Sequence, residues 1–147
     1  MKARRILHPT DFSPASRPAF ARAVAEARAD GAELWLVHVL STVAPVTGNE
    51  YMSPTTYAEI QRSMQAYGQA QLDKLVAKAK ASGVRVHGLL LEGSAVDGIV
   101  RAARSKRADV IVMGTHGRTG LARLLMGSVA QRVVGTAPCP VLTVRGK

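Results

Sequence analysis

The sequence contains little cysteine and few aromatic residues, and it has no long apolar run. The single cysteine, Cys139, excludes an intramolecular disulfide and a thiolate cluster, so we expect no metal site built by the protein alone. Such cysteine usage is typical of a reducing compartment, and we expect a cytoplasmic protein. No stretch approaches the roughly 18 apolar residues of a membrane span, and no signal-peptide core follows the basic first residues. We therefore expect no membrane partner.

Acidic residues are also scarce, with 10 Asp and Glu against 20 Lys and Arg in 147 residues and a net charge of +10. Hydrophobic residues make up 47% of the chain, which excludes a disordered polyelectrolyte. Because domains cluster at about 100–150 residues, we predict a single domain over residues 1–147. The basic surplus raises the hypothesis of a nucleic-acid partner. That partner is not favoured, because the basic residues are scattered and no basic run is interleaved with aromatics.

Apolar runs alternate along the chain with segments of helical spacing. Continuous apolar runs are typical of strands covered on both faces, and they lie at residues 6–7, 34–40, 84–91, 110–113 and 141–144. Helical spacing with capping signals lies at residues 13–30, 53–83, 94–106 and from 128 onward. Ser13 with Pro14 predicts the start of the first helix, and Gly31 predicts its end. Tyr67 is predicted on the buried face of the second helix, and residues 41–53 are predicted to form a surface loop.

Strands that alternate with helices predict an α/β fold. We expect a doubly wound, Rossmann-like domain with a five-stranded parallel sheet of order 3-2-1-4-5 and four helices on its two faces. That order creates a crevice beyond the carboxyl ends of strands 1 and 4, where their connections diverge. The residues that follow these strands are 9–13 and 114–128. Ligand contacts are therefore expected in these two loops.

The loop at residues 114–128 contains four glycines, two arginines and three hydroxyl residues. Gly127 and Ser128 place backbone N–H groups at a helix N-terminus, where the macrodipole favours an anion. We interpret the loop as a phosphate cradle. The alternative is a plain connection whose glycines serve only turns. The loop is not a Walker A motif, and no G-x-G-x-x-G follows strand 1.

Asp11, in the loop after strand 1, has two interpretations. Its carboxylate can accept hydrogen bonds from sugar hydroxyls or an amine, or hold a cation through water. It can equally cap the first helix alongside Ser13. The sequence alone does not decide between a ligand contact and a structural one.

Four motifs resemble, in order, the universal stress protein family. They are the segments 9–13, 36–39 and 138–144 and the spacing G-x2-G-x9-G-S from Gly114 to Ser128. The resemblance extends over essentially the whole chain, and its glycine spacing matches the family's ATP-binding signature. It implies an ATP-binding or adenine-nucleotide-binding homodimer that acts in the stress response as a sensor or regulator through partners. It also implies Mg²⁺ or Mn²⁺ bound with the nucleotide.

The resemblance further implies a role for each matching position. The adenine would be framed by Pro9, Thr10, Asp11 and Val39. The ribose would be approached by Met113 and Gly114. The phosphates would be held by backbone donors at Gly117, Gly127, Ser128 and Val129. The last strand would pair with its two-fold mate through Val141, Leu142, Thr143 and Val144.

Three further residues of the loop are candidate phosphate contacts: His116, Arg118 and Arg123. A hydrogen bond that packs the loop is the alternative for the histidine, and surface or dimer contacts are the alternative for the arginines. The loop has no lysine at its throat and no paired carboxylates. Since phosphoryl transfer needs such groups, we assign no catalytic residue and expect at most slow ATP hydrolysis.

A second interpretation stays open. The protein would be a nucleotide-independent, dimeric interaction protein whose basic surface binds an acidic partner or nucleic acid. This interpretation predicts no effect of ATP on the melting temperature, and binding to a polyanion that falls steeply with salt.

Overall fold

A five-stranded parallel sheet lies at the centre of the structure. The computed structural model describes residues 2–42, 46–47, 50–116 and 126–146. The strands are β1 (Arg5–Pro9), β2 (Glu33–Leu40), β3 (Val46–Thr47), β4 (Glu50–Tyr51), β5 (Arg85–Glu92), β6 (Val110–Gly114) and β7 (Val141–Val144). The helices are α1 (Arg17–Asp30), α2 (Pro54–Ala81), α3 (Ala95–Ser105) and α4 (Ser128–Thr136).

The order of strands in the central sheet is β5-β2-β1-β6-β7. It equals 3-2-1-4-5 when only the five sheet strands are counted, so the predicted order is confirmed. Strand β1 lies in the middle, where Leu7 pairs with Trp35 of β2 on one side and with Ile111 of β6 on the other. The connections therefore diverge between β1 and β6, where a ligand crevice is expected.

Helices cover both faces of the sheet. Successive side chains of a strand point to opposite faces, so Ile6 and Leu7 of β1 enter different cores. The core under α1 and α2 includes Ile6, Phe20, Leu34, Leu36, Leu72 and Val112. The core under α3 and α4 includes Leu7, Val37, Val96, Ile99, Ile111 and Val133. The doubly wound α/β architecture is therefore confirmed.

Capping residues set some of the helix ends. Gly31 ends α1 in the left-handed conformation with φ of +65°, and the Ser53 hydroxyl accepts a hydrogen bond from an amide in the first turn of α2. The predicted start of the first helix is wrong by three residues, because Pro14–Ser16 form a 3₁₀ turn before α1. The reason is local: both the amide and the hydroxyl of Ser16 donate to the carbonyl of Ser13 and hold the tighter turn. The hydroxyl of Ser13 makes no capping bond.

The segment between β2 and α2 is not a plain loop. Strands β3 and β4 pair antiparallel within it, with Val46 opposite Tyr51 and Thr47 opposite Glu50. The predicted surface loop over residues 41–53 therefore contains a short hairpin, which the sequence analysis did not predict. Strands of two residues are too short to show the alternation of polar and apolar residues by which a strand is recognised.

Helix α2 is longer than the strands that it covers. Its 28 residues span about 42 Å, whereas the eight residues of β2 span about 26 Å. The buried residues of α2 are Gly68, Leu72 and Ala79, which all lie in its second half. Tyr67, predicted on the buried face, is 59% exposed, because Gly68 makes the close approach to the sheet. Among the described residues, no helix combines the length and the apolarity that crossing a bilayer requires.

Candidate functional site

A cavity of about 470 Å³ lies where the carboxyl ends of β1, β2 and β6 meet the first turns of α3 and α4. We call it the strand-end cavity, and it is lined by residues 9–11, 16, 37–39, 41, 95, 99, 113–116 and 127–130. Its volume falls within the range of about 300–1,000 Å³ typical of small-molecule sites. The cavity occupies the crevice where the connections of β1 and β6 diverge.

The structure brings the predicted site residues together in this cavity. Its lining includes Pro9, Thr10, Asp11, Val39, Met113, Gly114, His116, Gly127, Ser128 and Val129. Gly117, Arg118 and Arg123 lie outside the described residues. The sequence analysis missed the wall that Ala95 and Ile99 of α3 provide. The topology could have predicted this wall, because every helix that follows a parallel strand begins at the same edge of the sheet.

The loop after β1 is held by its own polar side chains. The amide of Phe12 donates to the hydroxyl oxygen of Thr10 at 3.1 Å, and the amide of Ser13 donates to the Asp11 carboxylate at 2.9 Å. The Thr10 amide donates to the carbonyl of Val37 at 2.8 Å, which ties the loop to β2. The Asp11 carboxylate thus holds the loop by a local turn bond and lines the cavity, but it does not cap the 3₁₀ turn or α1, whose starts have no side-chain capping bond.

Phe12 gives this loop a strained backbone. Its φ of +63° lies in the left-handed region, which costs a bulky L-residue roughly 1–2 kcal/mol. The Phe12 ring packs on the His38 ring with 4.3 Å between centroids. The Nδ1 nitrogen of His38 lies 2.7 Å from the Thr10 carbonyl oxygen, so this nitrogen is the donor. These contacts hold the strained conformation, and they fix the polar groups of the loop at the cavity.

The N-terminus of α4 forms the opposite wall. The amide of Gln131 donates to the carbonyl of Gly127 at 3.0 Å, which is the first bond of the helical ladder. The N–H groups of Ser128, Val129 and Ala130 precede this bond, so they have no acceptor within the helix. The macrodipole adds a partial positive charge at the same end. This wall favours a negatively charged group.

Two glycines of the signature pack against neighbouring backbone. The amide of Gly127 donates to the Thr115 carbonyl at 2.7 Å, so the donors that α4 offers to the cavity are those after Gly127. A Cβ atom on Gly127 would lie 3.1 Å from that carbonyl oxygen, and one on Gly114 would lie 3.3 Å from the His116 carbonyl oxygen. Both distances are shorter than ordinary van der Waals contact. Glycine at these positions therefore has a packing role that does not depend on a ligand.

His8 lies in β1 immediately before the cavity and is completely buried. Its Nδ1 nitrogen donates to the Val112 carbonyl at 2.8 Å, and its Nε2 nitrogen has no hydrogen-bond partner among the described residues. Burial lowers the pKa of His8 from 6.5 to about 4, against the smaller opposing effect of the bond to Val112. His8 is therefore neutral at neutral pH, and its buried ring lies 5.9 Å from the ring of Phe20 in α1, centroid to centroid.

The chemical groups of the cavity are backbone donors and a few polar side chains. Within the described ranges, no three or more His, Cys, Asp or Glu side chains are grouped so that they could hold a metal ion. Burial raises the pKa of the Cys139 thiol, which keeps it protonated at neutral pH. Asp11, His38 and His116 are the ionisable side chains of the lining. This arrangement suits a small molecule that carries a negative charge and has further hydrogen-bonding groups.

Comparison with known proteins relates the whole described chain to one family. The sequence model of the Universal stress protein family matches residues 2–145. The chain is 39% identical over 142 residues to the universal stress protein MJ0531 of Methanocaldococcus jannaschii, which covers 97% of this chain and 82% of that protein. It is 38% identical over 144 residues to the universal stress protein in the QAH/OAS sulfhydrylase 3' region of Thermus aquaticus, with coverage of 97% and 98%.

Solved structures show the same fold. The protein MJ0577 of M. jannaschii superposes with a TM-score of 0.85 at 25% identity, over 100% of this chain and 99% of that one. A universal stress protein in complex with cAMP gives 0.72 at 26% identity, over 100% of both chains. The universal stress protein from Archaeoglobus fulgidus in complex with dAMP gives 0.62 at 25% identity, over 99% and 100%. Two of these three similar proteins were thus solved with adenine nucleotides.

Proposed function

The chain belongs to the universal stress protein family, and from this premise we propose that it binds ATP in the strand-end cavity. We propose that it acts in the cytoplasm as a stress-response sensor or regulator through a protein partner. One observation carries the nucleotide proposal: the predicted contacts after β1, in β2, after β6 and at the start of α4 line a single cavity. The complexes of related proteins with cAMP and dAMP support the choice of an adenine nucleotide.

The chemistry of each wall assigns a part of the nucleotide to it. We place the adenine between residues 9–11 and Val39, where a carboxylate acceptor adjoins an apolar surface. The ribose lies against Met113 and Gly114, and the phosphates lie at the amides of Ser128 and Val129. His116, Gly117, Arg118 and Arg123 remain candidate contacts of the outer phosphates.

The side chains of the cavity also bear on metal binding and on ATP hydrolysis. We propose that Mg²⁺ or Mn²⁺ arrives on the triphosphate, because the described residues offer no group of three side-chain ligands. Phosphoryl transfer also needs a group that orients the nucleophile and a cation that neutralises developing charge. Asp11 is already engaged by the Ser13 amide, and no lysine lines the described part of the cavity. We therefore propose binding with at most slow hydrolysis.

The last strand is the proposed seam of a homodimer. Strand β7 ends the strand order and pairs only with β6 among the described strands, so one of its edges presents unpaired backbone groups. Leu142 is 37% exposed in this edge strand, and Val129 and Val134 of α4 are exposed as well. Pairing of residues 141–144 with a second copy satisfies the backbone and covers apolar surface.

Melting the protein with and without Mg-ATP tests the proposed site. Ser128→Asp places a carboxylate where the phosphates are proposed to lie, while an acidic residue in the first turn of a helix favours the fold. Gln131→Glu is the matched control, because it adds a negative charge to the start of α4 at an exposed position outside the cavity lining. Gly127→Val would be a poorer probe, since glycine there also packs against Thr115.

We expect ATP at 100 times its Kd to stabilise the native protein by about 2.7 kcal/mol, a rise in Tm of about 5–10 °C. Gln131→Glu should keep this rise, and Ser128→Asp should lose most of it. Absence of a saturable shift in the native protein would reject nucleotide binding. An equal shift in both variants would reject the assignment of the phosphates to α4.

A further inference from the structure

A second cavity, of about 770 Å³, lies at the opposite edge of the sheet, where β1, β2, β5 and β6 begin. We call it the basic groove after the five cationic side chains that line it: Lys2, Arg4, Arg5, Arg85 and Arg107. They come from three separate stretches of the chain, and only the parallel sheet brings them to one edge. The strand-end cavity lies at the other ends of the same strands, so the two cavities share no lining residue.

Three carboxylates, Asp30, Glu33 and Asp109, also line the groove, and each is engaged by a neighbour. Asp30 and Asp109 accept hydrogen bonds from the backbone amides of residues 3–5, at 2.7 to 2.9 Å. Glu33 lies 2.6 Å from the imidazole of His87. These carboxylates therefore hold the start of β1 and the rim of the sheet while they keep their negative charge, so the groove sets five cations against three anions, a surplus of two positive charges.

The cations of the groove make few close ion pairs, although Asp109 and Glu33 attract Arg4, Arg5 and Arg85 electrostatically. Among the described residues, Lys2, Arg4 and Arg107 form no ion pair, and Arg5 has a single one, with 3.7 Å between its Nε and Glu33. Like charges gathered on one surface repel each other. An anion that bridges the cations reduces this repulsion, and the surplus of two positive charges favours an anion over a cation or a neutral ligand.

The backbone conformation of Arg107 independently indicates that the groove has a function. The left-handed residue just after each of α1 and α2 is a glycine, Gly31 with φ of +65° and Gly83 with φ of +83°. After α3 the corresponding residue is Arg107, with φ of +52°. A side chain in this conformation is strained, and glycine would relieve the strain. Strain that is kept at Arg107, where glycine would relieve it, points to a function for the arginine side chain.

We propose that the basic groove binds a compact anion that carries several phosphate groups, of the kind that a short inorganic polyphosphate presents. Guanidinium groups match phosphate oxygens in a bidentate geometry. The groove volume is that of a small-molecule site. None of its described lining residues is aromatic, so it offers no surface on which nucleic-acid bases stack.

Titration calorimetry with tripolyphosphate, at low salt, tests this assignment. Arg107→Gln keeps the Cβ atom and removes the charge, and we expect it to weaken binding about tenfold. Arg107→Lys should restore part of the affinity. Arg107→Gly should weaken binding while it raises Tm by roughly 3 °C, because the backbone strain is relieved. Arg101→Gln is the control, since it removes the same charge from an exposed position of α3 outside the groove.

The strand-end cavity also favours anions, so each variant is measured again in the Ser128→Asp background. Arg107→Gln is expected to weaken tripolyphosphate binding by the same factor in both backgrounds. It is expected to leave the stabilisation by ATP unchanged. Equal tripolyphosphate affinities of Arg107→Gln and Arg101→Gln would overturn the proposal. Arg107-dependent binding of an oligonucleotide without binding of tripolyphosphate would also overturn it, and would assign the groove to nucleic acid instead.

Discussion

Replacing His8 by asparagine is expected to change how the stability of the protein depends on pH. His8 is completely buried, and burial lowers its pKa from 6.5 to about 4. Between these two values the unfolded chain binds a proton at His8 and the folded chain does not. The free energy of unfolding therefore falls as the pH is lowered through this window. It is unaffected by His8 above the window, and the loss is complete below pH 4.

The size of this effect follows from the two pKa values. A difference of 2.5 units corresponds to about 3 kcal/mol, with a slope of about 1.4 kcal/mol per pH unit inside the window. Asparagine keeps a donor near the position of Nδ1, which bonds to Val112, and does not titrate. The variant also leaves a small void, which lowers its stability by a constant amount at every pH.

Urea unfolding at half-unit steps from pH 8 to pH 4 measures the effect. The unfolding free energy of the native protein minus that of the variant should be constant above pH 7. This difference should be about 3 kcal/mol lower at pH 4. Carboxylates such as Glu33 and Asp109, whose pKa values are lowered by hydrogen bonds, contribute equally to both proteins and cancel. A difference that does not vary with pH would refute the argument that burial keeps His8 neutral.

Two further predictions concern packing and assembly. Gly98→Ala should lower the unfolding free energy by about 1 kcal/mol, because its Cβ would lie 2.9 Å from a methyl group of Val39. Gly135→Ala is the control and should be neutral or stabilising, because the space around Gly135 is open. Equal urea midpoints of the two variants would contradict this prediction. Leu142→Arg should convert the proposed dimer into a monomer, as measured by sedimentation velocity. Tyr67→Arg changes another exposed apolar position and should leave the dimer intact. If the Leu142→Arg variant is still a dimer, the dimer does not form through β7.

Much of the fold could be predicted because its signals are local. The continuous apolar run of β2 and the caps at Gly31 and Ser53 define elements within a few residues of sequence. The alternation of strands and helices then leaves few topologies, and the switch point locates the strand-end cavity. The predicted contacts gather there because they follow the ends of adjacent strands.

Other features depend on distant parts of the chain. The basic groove requires the register that places Arg4 against Asp109, which is 105 residues away. The bond from the Gly127 amide to the Thr115 carbonyl joins residues 12 positions apart, so the sequence did not show that this donor is already used. The hairpin of β3 and β4 had one local signal, the Gly48-Asn49 pair, which is a sequence typical of a two-residue turn between strands.

The uneven burial of α2 makes its two halves unequal in stability. Residues 68–81 are anchored by Gly68, Leu72 and Ala79, whereas residues 54–66 contain no buried position. A helix draws most of its stability from packing, so opening the first half disturbs little tertiary structure, and the second half opens only when the core does. Unwinding therefore starts at the N-terminal end of α2, which is its least stable part.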